Sequence, residues 1–171
     1  MKRLALVFGA IGSLVFGAAT AAAANGGADV QTFPVSFVLS SAECSNLPAG
    51  TTVTGMGTEK SITVTRTDAN GVTMIVNSTH ALGTATDQAG NSYVFDYNNE
   101  FRASDSTATP GVFSGLMSDH FSLAGSGPAK LSNGFLANIS TDFSTFFSFD
   151  PLNSRGDPLD FATGTAHCDP L

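Results

Sequence analysis

Asp119, its neighbour His120, and His80 are the side chains of this sequence best suited to acid–base chemistry. Between Phe113 and Leu123 the strand parity puts Asp119 among Phe113, Met117, Phe121 and Leu123. A carboxylate on an apolar face is costly to bury unless it is hydrogen-bonded, and burial raises its pKa towards that of a general acid or base. A β-bulge at Ser118-Asp119 would turn it outward instead, and the length of the run favours that arrangement. His80 continues the parity of Val72, Met74 and Val76, which points it inward at the mouth of the fold, within reach of Asp119 or His120. A histidine at a strand end more often bonds a backbone carbonyl, however. His80, His120 and His167 lack any close metal-ligand spacing, so neither a metal nor another cofactor is expected. There is no Gly-x-Ser-x-Gly elbow to carry a nucleophilic serine.

Tyr93 and Tyr97, with Phe143, Phe146, Phe147 and Phe149, could line a ligand cavity. Core packing accounts for most of them, since small barrels fill their interiors with large side chains. Phe146 alone breaks the strand alternation and is a candidate contact residue if exposed. Other short motifs carry less. Arg155-Gly156-Asp157 is ordinary turn chemistry before Pro158. Asn77-Ser78-Thr79 and Asn138-Ile139-Ser140 are glycosylation sequons only in a glycosylating host. Asp87 to Asn91 lacks the acidic density of a calcium loop.

The elements that position these residues are short strands. Tyr93, Phe95 and Tyr97 fall on one face of a strand that follows the turn Asp87-Gln88-Ala89-Gly90, with an acceptor side chain first and a glycine last. Asp68-Ala69-Asn70-Gly71 makes a second hairpin turn between alternating runs, placing Val72, Met74 and Val76 together on the returning strand. A first strand is expected over 33–40, with Val35, Phe37 and Leu39 sharing a face. Others are expected at 111–124 (one strand or a bent pair), 131–141, 142–149 and 159–165, with loops at 103–110 and 150–158. The total is about eight to ten strands and no long helix, which makes an all-β antiparallel barrel, or alternatively a β-sandwich.

The chain opens with Met1-Lys2-Arg3, runs mostly apolar from Leu4 to Phe16, and ends this stretch in small residues up to Ala24. That is the pattern of a secretory signal peptide over 1–24. A mobile lead-in at 25–32 and a single β domain over 33–171 then make up the mature chain, which keeps no stable membrane anchor and is released outside the cytoplasm, extracellular or periplasmic. Loss of Lys2 and Arg3 takes the formal net charge from −7 to −9. A scattered acidic surface excludes nucleic acid and anionic membranes as partners, because both need clustered Lys and Arg. In an oxidising compartment Cys44 and Cys168 form one disulfide. It would close nearly the whole domain, with an upper limit of about 4–5 kcal/mol from loop closure. Such a bridge ties the first strand to the last, which are neighbours when an up-and-down sheet closes on itself.

The signal sequence, Gly83 to Asn91, Ser118-Asp119-His120-Phe121, Arg155-Gly156-Asp157-Pro158 and the terminal Cys168-Asp169-Pro170-Leu171 together resemble a group of small secreted bacterial all-β proteins of unassigned function. The resemblance implies secretion and an all-β fold and says nothing about substrate. Compact eight-stranded ligand-binding and cyclase barrels are similar in outline only. The expected function is a non-enzymatic binding role towards a small apolar ligand or a surface partner. The alternatives are an isomerase- or hydrolase-like enzyme using Asp119 with His80 or His120, and a structural or adhesive extracellular protein.

Overall fold

The computed structural model describes residues 27–42, 44, 46–105 and 108–155. Seven strands follow one another along the chain: β1 (Ala28–Ser40), β2 (Thr52–Thr67), β3 (Thr73–Asp87), β4 (Ser92–Asp105), β5 (Phe113–Gly125), β6 (Leu131–Thr141) and β7 (Phe147–Arg155). Each pairs antiparallel with the next, in the order β1-β2-β3-β4-β5-β6-β7. No helix occurs among the described residues. The all-β, antiparallel expectation is met, but the barrel is not: β1 and β7 are the two edges of one sheet. The signal peptide at 1–24, the strand at 159–165 and Cys168 lie outside the described residues.

Two turns explain why consecutive strands pair. Gly71 N–H donates to Asp68 O, and Gly90 N–H donates to Asp87 O, at 3.1 and 3.0 Å. Each glycine takes positive φ, 82° and 83°, which a side chain would strain. The opening aspartate locks each turn. Asp68 accepts from the N–H groups of Asn70 and Val72, and Asp87 from those of Ala89 and Asn91. Asp142 does the same between β6 and β7, accepting from Ser144, Thr145 and Phe146 N–H. Here the left-handed residue is Phe143, at φ 59°, and its ring packs on Phe101 and Phe113. Residues 143–146 are therefore turn, and 150–155 continue β7, which reverses the strand and loop expected there. β1 also begins earlier than expected, so residues 28–32 are strand.

The register keeps one parity from β1 to β6. Phe37 lies opposite Gly55, which lies opposite Ala85, then Tyr93, then Gly125. Odd-numbered residues thus share one face, and it is the buried one. On a flat sheet Phe37 in β1 would lie about 14 Å from β4, three strand spacings away. Its ring instead meets Phe95 edge-on at 5.0 Å, and Phe121 of β5 at 5.7 Å. The sheet must coil so that β1 folds over β4 and β5, making the odd face concave.

Glycines make the room. A Cβ on Gly55 would stand 2.3 Å from the Phe37 ring, and one on Gly83 would stand 2.4 Å from the Phe95 ring. The strip of β2 and β3 under those rings has to be bare.

Candidate functional site

The concave face changes character along the strands. At one end Leu39, Val53, Phe95, Phe121, Leu123 and Leu131 form a buried apolar cluster with Phe37 against it. At the other, Phe101, Met117 and Ile139 are packed by Phe113, Phe135 and Phe149. Between them runs a polar belt made of two successive cross-strand rows. One contains Phe33, Glu59, Ala81, Tyr97 and Phe121, and the next contains Gln31, Ser61, Thr79, Asn99, Asp119 and Phe135.

No bulge interrupts β5. Asp119 sits directly across from Asn99 and Phe135 in an unbroken ladder and keeps its inward parity. Tyr97 donates its hydroxyl to Asp119 Oδ2 at 2.7 Å, and Asn99 donates Nδ2–H to the same oxygen at 3.0 Å. Burial raises the Asp119 carboxyl above the ordinary aspartate value, and it outweighs the opposing pull of those two bonds and of His120. The Tyr97 hydroxyl is pushed far upward, first by its own burial, then by the Asp119 charge and bond, then by the Glu59 charge. It therefore stays a donor throughout the physiological range.

Glu59 has no counterpart to these bonds. It is 9% exposed, burial raises its carboxyl above the ordinary glutamate value, and no described residue forms a hydrogen bond or ion pair with it. Asn99 is 5% exposed, and with Nδ2 engaged on Asp119 its Oδ1 is buried without a partner. The nearby hydroxyls and amides satisfy one another instead. Asn77 Nδ2 donates to Ser61 and Thr63 at 3.0 and 2.8 Å, and Thr79 donates to Asn77 Oδ1 at 3.1 Å. Among the described residues Asn99 Oδ1 is the one buried side-chain acceptor left without a donor, an arrangement that buried polar groups rarely tolerate.

The other sequence candidates lie elsewhere. His80 and His120 have even parity and sit on the convex face. His80 is exposed there and lies 3.5 Å from Asp96, while His120 Nε2 is 3.5 Å from Ser132 Oγ. The expectation that His80 points inward fails because the face was read from Val72, Met74 and Val76. Those residues are convex, and Met74 is 44% exposed. A site joining Asp119 to either histidine at a barrel mouth is therefore not formed. A shallow depression of about 170 Å³ opens at this level of the sheet, lined by Thr79, Asn99 and Asp119 together with Ser78, Asn98, Glu100, Ser118 and His120.

Tyr93 is fully packed, and its hydroxyl donates to Asp87 Oδ2 at 2.8 Å. Tyr97 is the tyrosine that reaches the belt. Phe146 is 46% exposed in the β6–β7 turn, beside the equally exposed Phe147. Cys44 is fully buried and no described cysteine is a free thiol.

Sequence reasoning missed Glu59 and Asn99. The signal was present in the odd parity of Val53, Gly55 and Gly57, which runs on into Glu59, but the alternation of Ile62 and Val64 overrode it. No known protein family, curated protein or solved structure matches this chain.

Proposed function

We propose that this protein is a secreted, non-enzymatic binding protein that takes a small molecule on its concave face, at the level of Glu59, Tyr97, Asn99 and Asp119. The observation that carries this reading is the unpartnered Asn99 Oδ1, buried beside the Asp119 carboxyl, whose pKa burial raises. An orphan acceptor of this kind costs about 1–3 kcal/mol unless a ligand or water completes it. The aromatic end does not offer an equivalent place for an apolar ligand, because Phe37, Phe95 and Phe121 already fill it against one another. Secretion rests on the N-terminal pattern. The Cys44–Cys168 bridge belongs to the same proposal and fits the burial of Cys44.

Native mass spectrometry of the protein from its own host, without reductant, tests both parts. A retained small molecule lost on Asn99→Ala supports the site. A mass two hydrogens below the dithiol supports the bridge. Fragment screening by NMR in which every hit maps away from Tyr97 and Asn99 would sink the reading.

An acid–base enzyme is the second reading, favoured by the short Tyr97–Asp119 bond and the raised Asp119 carboxyl. In that case Tyr97, not a histidine, would be the partner of Asp119. Turnover of any compound found bound to the native protein, abolished by Asp119→Asn, would move the assignment to this reading.

A further inference from the structure

We propose that the turn between β2 and β3 is a self-modification site: Asn70 loses its side-chain amide to attack by the Gly71 backbone nitrogen, leaving aspartate or isoaspartate in the hairpin. Asparagine is one of the thermolabile residues, and the ring closes most readily when the next residue has no side chain in the way. Gly71 N bonds to Asn70 Cγ, the Cγ–Nδ2 bond breaks, and Nδ2 leaves as ammonia. Water then opens the succinimide ring. Cleavage between Cγ and Gly71 N gives aspartate, and cleavage between the Asn70 main-chain carbonyl and Gly71 N gives isoaspartate.

The chain holds three Asn-Gly steps, Asn25-Gly26, Asn70-Gly71 and Asn133-Gly134. The first lies outside the described residues, and the structure sets the other two apart. Asn70 and Gly71 are both exposed at the hairpin tip. The Asn70 side chain forms no hydrogen bond with a described residue. Nothing lies within 4 Å of where a Gly71 Cβ would stand, so the ring has room. What restrains the step is the backbone. Gly71 N–H donates to Asp68 O at 3.1 Å, while Asp68 Oδ1 accepts from Asn70 N–H at 2.8 Å and Val72 N–H at 2.9 Å. A nitrogen held in this way cannot attack, so the reaction passes through opening of the turn. Opening an exposed turn costs far less than opening a core ladder.

Asn133-Gly134 is the internal contrast. It lies within β6, with Asn133 opposite Phe121 and Gly134 between His120 of β5 and Arg155 of β7. Gly134 is buried, and a Cβ there would stand 2.6 Å from Asp119 O. Ring closure at this step requires β6 to part from its neighbours. The product at Asn70 bears on the fold. It places a second carboxylate close to Asp68, and isoaspartate lengthens the main chain of a turn in which Asp68 N–H reaches Val72 O at 2.9 Å. Either change weakens the closure of β2 on β3.

The test is to age the full mature protein in mildly alkaline buffer at body temperature and map its peptides by fragment-ion mass spectrometry. Isoaspartate is read by enzymatic methyl labelling. The same chain unfolded in urea gives the rate of each Asn-Gly step without structure. Expected is a gain of one mass unit at Asn70, with isoaspartate among the products, while Asn133 keeps its amide until the chain is unfolded. Asp68→Ala removes the acceptor that locks the turn and should speed the gain several-fold. Asp68→Asn keeps an acceptor and should stay close to the native rate, and circular dichroism checks that both variants are folded. Retention of the Asn70 amide over the time in which the unfolded chain loses it would overturn the proposal. So would a gain at Asn70 without isoaspartate, because the cyclic route yields both products. Equal conversion of Asn133 in the folded protein, or equal acceleration in the two Asp68 variants, would overturn the role of the turn.

Discussion

The aromatic end and the polar belt share one concave face and the same strands, yet they are built on opposite terms. At the aromatic end every group is satisfied: rings meet edge-on over bare glycines, and Leu123, Leu131 and Val53 are fully enclosed. In the belt, two cross-strand rows away, neither the Glu59 carboxylate nor the buried Asn99 Oδ1 has a hydrogen-bond partner among the described residues. Apolar burial stabilises a fold, whereas unpaired polar burial opposes it. The first region therefore holds the sheet in its coil. The second is where stability has been given up, and regions of that kind are the natural places to look for binding.

Breaking the stabilising side should produce the largest effect. Phe95→Ala removes a ring that contacts both Phe37 and Phe121 and should lower unfolding free energy by about 3–5 kcal/mol in urea titration. Asp87→Ala comes next, because one carboxylate serves Ala89, Asn91 and Tyr93. Its thermal midpoint should fall clearly, while Asp87→Asn should recover part of the loss.

Glu59→Gln sharpens the contrast by changing sign. Removing a charge that has no ion-pair partner among the described residues should raise stability by about 1 kcal/mol at neutral pH. A destabilised Glu59→Gln would mean that the belt glutamate supports the fold.

The smallest and most diagnostic effect is the pH profile. Burial raises Glu59 and Asp119 above their ordinary values of 4.5 and 3.8, so the folded state holds protons that the unfolded state has released. Stability should fall as pH rises through the window from those values to the raised ones, and then level off. Tyr97 stays protonated throughout, and His120 beside Asp119 opposes the Asp119 shift. Turn carboxylates behave in the opposite way. The Asn91 side-chain amide chiefly holds Asp87 low, and the Phe146 N–H chiefly holds Asp142 low. Their contribution is present above the ordinary 3.8 and is lost as pH falls through their folded values. Denaturant melts across pH should show both limbs. Glu59→Gln combined with Asp119→Asn should flatten only the upper one, and Asp142→Asn only the lower.

How much of this was legible in the sequence depends on how local its cause is. Asp68-Ala69-Asn70-Gly71 and Asp87-Gln88-Ala89-Gly90 each contain their own acceptor and their own positive-φ glycine, so both hairpins could be read directly. The facing of Tyr93, Phe95 and Tyr97, and of Phe113, Met117, Phe121 and Leu123, was equally legible, because in those strands the apolar parity is the buried one. It failed for β2 and β3, where Ile62, Val64, Met74 and Val76 are convex and Ser61, Thr63, Asn77 and Thr79 face inward. Alternation there marks two faces without saying which is inside. The partners of Asp119 were out of reach for the same reason, since Tyr97 and Asn99 lie twenty or more positions away and meet it only through the register of β4 on β5.

The chain by itself determined that the fold is antiparallel β, the turns at Asp68–Gly71 and Asp87–Gly90, and the alternation along the strands that flank them. These depend on backbone preferences within a few residues. Tertiary structure alone decided that the sheet coils until Phe37 reaches Phe95 and Phe121, which of its faces became the concave one, and that Glu59, Asn99 and Asp119 share a belt inside it. Those outcomes follow from packing between residues far apart in sequence. The bare strip at Gly55, Gly57 and Gly83 becomes meaningful only once the rings that cover it are in place.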